Sequence, residues 1–141
     1  MRTLATLSLL LLLPTILGLQ GCRKTLSDIQ TKALIDIITS GRWVVDTFSD
    51  ASADLTADYR GYEFKFNESG TVDAFLGATT TTGSFVVDAL NSRITSRFPA
   101  GSAEPLLKLS ETWSITKASL SQVEAKPTDA GRTAFLRIRM K

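Results

Sequence analysis

The sequence contains no histidine and a single cysteine, Cys22. Without histidine, the chain lacks the commonest general base and the commonest metal ligand. Ser–His and Cys–His nucleophilic pairs are excluded, as are zinc sites built on histidine or on several cysteines. One cysteine also excludes an internal disulfide. An excess of one charge is missing too: 16 Lys and Arg face 14 Asp and Glu, a net charge of +2. These charges are scattered, whereas a nucleic-acid binder gathers a strong basic bias on one face. The expectation is therefore no nucleic-acid partner, no cofactor, no metal site and no catalytic residues. Carboxylate pairs remain chemically open for glycoside hydrolysis, but nothing in the spacing positions two of them. At 141 residues the chain suits one domain.

The first 22 residues follow the order of a secretory signal. Met1-Arg2 is a short basic start, and Leu4 to Leu19 is an apolar stretch with five consecutive leucines at 9–13 and Pro14 inside it. The stretch is short for a bilayer span of roughly 20 residues. Leu19-Gln20-Gly21-Cys22 then resembles the lipobox of bacterial lipoproteins, with Gln20 bulkier than usual. The resemblance implies a diacylglycerol on the Cys22 thiol, cleavage before it, and a further fatty chain such as palmitate on the new amine. One chain holds a protein to a bilayer only marginally, and two or three hold it firmly. Residues 1–21 are thus expected to be a signal peptide and 22–25 a lipid-anchored tether. Arg23-Lys24 after the cysteine, with no acidic cluster, points to the periplasmic face of the outer membrane.

Ser27 followed by Gln30 reads as a capping box that starts a helix. Apolar residues at helical spacing, Ala33, Leu34, Ile37 and Ile38, carry it to Ser40-Gly41, so a helix is expected over 27–40. Its polar face carries Asp28, Lys32 and Asp36, not the Lys/Arg cluster of a membrane-surface helix, which favours packing on the domain.

From Trp43 the period changes to two. Tyr62, Phe64 and Phe66 alternate with Glu63 and Lys65, Asn67-Glu68-Ser69-Gly70 forms a turn, and Val72, Ala74 and Leu76 return as the second arm of a hairpin. Further strands are expected over 84–89, 92–98, 107–116 (around Trp113), 120–125 and 133–140, with a loop over 99–105 and a turn over 127–131. Thr79 to Thr82 reads as strand or strand end. About eight short strands fit a sandwich or a closed up-and-down barrel, and closure removes the exposed edges.

Gly41-Arg42-Trp43 resembles the Gly-x-Trp signature of lipocalins and related calycin barrels. The layout from Cys22 onward is similar to small lipocalin-like lipoproteins of Bacteroidota: lipobox, short helix, Gly-x-Trp, a Tyr-x-Phe-x-Phe hairpin, then Leu109-Ser110-x-x-Trp113-x-Ile115. The resemblance implies an all-β, antiparallel barrel over 26–141 with one N-terminal helix. It also implies that Trp43 closes one end with an arginine across its ring, supplied by Arg137 or Arg139. The chain is shorter than typical secreted lipocalins, and a small barrel is often filled by its own side chains.

Candidate site residues follow from strand parity. Tyr62, Phe64 and Trp113 line either an apolar pocket or an ordinary core. Glu111 shares parity with Leu107, Leu109 and Trp113, so a regular strand points its carboxylate inward, where it orients a ligand or meets an arginine. Asp50, Asp54 and Asp58 recur every fourth residue, but no calcium-loop spacing accompanies them, and a solvated loop is the simpler reading. Two functions remain. One is a membrane-anchored, non-enzymatic binder of a small hydrophobic ligand or envelope component. The other is a structural or interaction module of an envelope complex with no cavity. A cavity of roughly 300 Å³ or more separates them.

Overall fold

A computed structural model describes residues 20–141, with side chains described from Ile29 onward. The leader over 1–19 lies outside the described residues, and so do the side chains of Cys22 and Ser27. The elements in order are α1 (Gln20–Thr39), β1 (Arg42–Asp50), a two-residue β2 (Ala53–Asp54), a 3-10 turn (Thr56–Tyr59), β3 (Tyr62–Phe66), β4 (Thr71–Leu76), β5 (Thr79–Asp88), β6 (Arg93–Arg97), α2 (Glu104–Leu109), β7 (Thr112–Ala118), β8 (Gln122–Pro127) and β9 (Ala134–Met140). Neighbouring strands pair antiparallel in chain order, and β1 also pairs with β9 from Trp43↔Met140 to Asp50↔Ala134. That last pairing closes the sheet, so the choice between sandwich and barrel falls to an eight-stranded, up-and-down barrel. β2 folds back on the end of β1 and stays outside the ring.

The Tyr62–Leu76 hairpin forms as its alternation requires, with Phe64 opposite Ala74 and Phe66 opposite Val72. Gly70 supplies the positive φ of its turn, at 85°. Asn67 pins the turn by donating to Thr71 and Asp73. Thr82 also donates to Asp73, and these bonds hold its carboxyl below the usual range. The threonine run and the strand expected at 84–89 form one continuous strand, β5, which pairs with both β4 and β6. At Gly83 in β5, a Cβ would stand 2.5 Å from the Arg97 carbonyl and 2.9 Å from the Phe98 ring. Gly83→Ala is therefore expected to lower stability by about 1–3 kcal/mol, measured by urea unfolding.

Three elements depart from expectation; β8 begins at Gln122, not Leu120, which leaves Leu120 in the turn after β7. α1 reaches back to Gln20 instead of starting at Ser27, so the backbone over 22–25 belongs to the helix. The strand expected over 107–116 is two elements: α2 takes Glu104–Leu109 and β7 begins at Thr112. Leu106 and Leu109 bury one face of that short helix. Pro105 near its start costs no hydrogen bond, because the first amides of a helix have no internal partner.

The two helices close opposite ends of the barrel, each with a tryptophan. The last carbonyls of a helix lack an internal donor. At the α1 end, the Trp43 indole N–H donates to the Ile38 carbonyl at 2.8 Å. At the α2 end, the Trp113 indole N–H donates to the Leu109 carbonyl at 3.1 Å, and the Ser96 hydroxyl donates to the same oxygen. The core runs between these plugs. Trp43, Phe48, Ile38, Leu106 and Val72 are its largest fully buried side chains.

Candidate functional site

Inward-facing residues of the strands, with Ile38 of α1, enclose an interior region where a ligand would sit. Phe64, Trp113, Ile115, Ile138, Ile38 and Trp43 are among its walls, and Ser96 is the polar exception. The Ser96 hydroxyl is already committed to Leu109. The cavity left between these side chains is about 60 Å³. Pockets that take drug-sized ligands run from roughly 300 Å³.

The α2 end is shut by aromatic packing. Phe48 and Tyr59 meet edge-on at 5.0 Å between ring centres, and Tyr62 stacks on Phe64 at 6.0 Å. The Tyr59 hydroxyl donates to the Pro105 carbonyl at 2.9 Å, tying the 3-10 turn to α2. Burial pushes the phenol's ionisation upward, so it stays a donor.

The four residues expected to bind a ligand separate. Phe64 and Trp113 do wall the interior cavity. Tyr62 instead borders an open surface groove of about 420 Å³ with Thr79, Thr81 and Ser102. Glu111 precedes β7, so strand parity does not apply to it. Its carboxylate accepts from the Thr112 amide and from Arg132 at 3.2 Å.

Arg132 is the residue that sequence reasoning missed. It donates to Asp50 at 2.7 Å, to Glu111 and to the Lys108 carbonyl, and its guanidinium lies 5.8 Å from the Trp113 ring centre. The arginine–tryptophan contact thus joins Arg132 and Trp113, not Trp43 with Arg137 or Arg139. The reason is parity: Trp43 points inward, as do Leu136 and Ile138, so Arg137 and Arg139 stand on the outer face of β9. There Arg137 pairs with Glu124 and Asp46, and Arg139 with Asp46. Gly41 abuts the Met140 side chain at the β1–β9 seam.

Of the aspartate series, Asp50 belongs to this network and Asp54 accepts from the Thr56 amide. No group of three or more metal-ligating side chains occurs among the described residues. Arg132 holds the Asp50 carboxyl below its usual range. A carboxylate with a depressed folded-state pKa stabilises the fold above its unfolded value, and that gain is lost as pH falls through the folded value. Arg132→Met is expected to cost about 1–2 kcal/mol at neutral pH. The difference from wild type should shrink below roughly pH 4, where the unfolded-state carboxylates take up protons. Urea midpoints across a pH series measure both effects.

No family model and no curated protein matches the sequence. Solved structures do resemble it. A DUF4847-family protein from Bacteroides vulgatus aligns with a TM-score of 0.57 at 14% identity, covering 77% of this chain and 97% of that one. A lipocalin-like protein from Bacteroides uniformis aligns with a TM-score of 0.51 at 13% identity, covering 74% of this chain and 99% of that one. At such identities the likeness is one of fold: the chain is a closed eight-stranded β-barrel of lipocalin-like architecture.

Proposed function

We propose that the protein is a non-enzymatic lipoprotein, held by lipid on Cys22 to the periplasmic face of the outer membrane, whose barrel serves as a structural or interaction module of the envelope. The single observation that carries the choice of module over carrier is the interior cavity of about 60 Å³. That space takes a few water-sized groups, not a ligand of ordinary size. Helix and tryptophan cover both ends. The open groove beside Tyr62 leaves most of any occupant in water, so it offers little apolar burial.

Anchoring rests on the leader and on Leu19-Gln20-Gly21-Cys22. No helix among the described residues is long and apolar enough to cross a membrane. Carriage of a small hydrophobic molecule is the second reading, favoured by the almost wholly apolar lining around Phe64 and Trp113. Titration with a fluorescent fatty acid separates the two. The module reading expects no saturable one-to-one binding, and no quenching of tryptophan emission. Stoichiometric, saturable binding that Phe64→Trp abolishes by filling the interior would establish the carrier instead.

A further inference from the structure

We infer that the α1 end of the barrel rests on the lipid surface, with Leu90 and Leu120 at two hairpin tips entering the interfacial layer. The inference builds on the acylation of Cys22 proposed above and adds an orientation to it. In an up-and-down barrel, alternate connections lie at the same end. The turn after β5 and the turn after β7 therefore both lie at the end that α1 covers.

Large exposed apolar side chains are few and segregated. Among the described residues, Leu120 is 76% exposed, Val86 67%, Leu90 65% and Ile29 61%, and all four belong to α1 or to the two hairpins at its end. Only Leu76, 41% exposed, lies at the opposite end. A single exposed leucine is unremarkable. Here, however, each of two turns places one leucine at its tip among small uncharged residues: Ala89-Leu90-Asn91-Ser92 and Ser119-Leu120-Ser121. Turns ordinarily favour Gly, Pro, Asn, Asp and Ser, so leucine at both tips gains nothing from turn chemistry.

The charge beside the tips suits an anionic lipid surface. Arg93 and Lys117 flank them, both exposed, and neither takes part in an ion pair within 4.0 Å among the described residues. The acid in the first hairpin, Asp88, accepts from Asn91 and stands opposite Arg93 across the β5–β6 pair, so Lys117 carries the net positive charge beside the tips. Basic side chains near a membrane are attracted to anionic headgroups.

Reach agrees with this arrangement. Ile38, near the end of α1, is buried in the barrel mouth, and Cys22 lies on the same helix. At a rise of about 1.5 Å per residue, their separation is about 24 Å. The lipid attachment therefore holds the α1 end within about that distance of the bilayer, whereas the α2 end stands off by a further barrel length.

The test uses full-length acylated protein in vesicles of phosphatidylethanolamine and phosphatidylglycerol. An environment-sensitive fluorophore is attached at Leu90→Cys, Leu120→Cys or Leu76→Cys, and brominated acyl chains serve as quenchers. Labels at 90 and 120 should shift to the blue and be quenched, while the label at 76 should do neither. In addition, the paired change Leu90→Asp and Leu120→Asp, made in chain lacking the lipid, should weaken vesicle partitioning about tenfold or more. Labels at 90 and 120 that behave like the one at 76 would overturn the orientation. So would labels that are shielded yet unquenched, which would assign the tips to a protein. Intact mass on the same samples separates the two ideas. Acylated protein with water-exposed tips sinks the orientation alone, and protein without an acyl group removes the anchor on which it depends.

Discussion

Replacing Trp43 by alanine is expected to cost about 3–5 kcal/mol of folding stability. The side chain is fully buried, and its neighbours fix the magnitude. It packs in the core between the end of α1 and the β1–β9 seam, where Trp43 stands opposite Met140. Truncation opens a cavity that strands on both sides are bonded too firmly to close. It also removes the donor that satisfies the Ile38 carbonyl, so α1 loses its polar attachment as well as its apolar one. For a domain of this size the loss should lower the melting temperature by about 10–20 °C, measured by circular dichroism. Trp43→Phe separates the contributions, since it retains most of the ring volume and removes the indole N–H. A loss below about 1 kcal/mol for Trp43→Ala would mean that this end of the barrel is not the closed, packed structure described.

Cys22→Ala is expected to move the protein from the membrane fraction to the soluble periplasmic fraction. One acyl chain gives marginal, reversible attachment, and two or more give stable attachment, so loss of all of them should shift partitioning by several orders of magnitude. The leader must be controlled, because an uncleaved apolar stretch over 4–19 would itself hold the chain at the bilayer. The variant is therefore placed behind a secretory leader that is removed without lipidation. Contacts made by Leu90 and Leu120 would leave at most weak residual binding. Undiminished recovery of this variant in the membrane pellet would contradict the lipid anchor.

The barrel was legible where alternation was strict. Tyr62, Phe64 and Phe66, the Asn67–Gly70 turn and Val72, Ala74 and Leu76 specify a hairpin with one buried face, because a slip of one residue would turn every aromatic outward. Closure was not legible in the alternation itself, since antiparallel strands of this kind also build sandwiches; the Gly41-Arg42-Trp43 resemblance implied it. It depends on the long-range pairing of β1 with β9. The 104–109 segment was misread for a specific reason. Leu107, Leu109, Glu111 and Trp113 satisfy a period of two, while Leu106 and Leu109 satisfy helical spacing, and a short run cannot decide between them. Pro105 was the available signal, as a residue suited to a first helical turn. Misreading that segment is also what turned Glu111 inward.

The site was legible in part for the same reason. Phe64 and Trp113 sit on regular strands, and parity places them correctly. Arg132 sits in the loop before β9, where periodicity says nothing, yet it joins Asp50 at the end of β1 to Glu111 and Trp113 around the start of β7. Arg137 satisfied the family pattern by its place in the chain, but it lies on the wrong face of the sheet. The size of the interior was beyond sequence reasoning, because it depends on how closely the inward side chains meet.

The proposed attachment of this barrel to a membrane turns on the chemistry of one sulfur atom. Intact-mass measurement of the protein extracted from membranes tests it directly. The expected result is a chain beginning at Cys22 and carrying a diacylglyceryl group, with or without a further acyl chain on its amine. A bare amino terminus at or beyond residue 22, with no lipid mass on the chain, would contradict it.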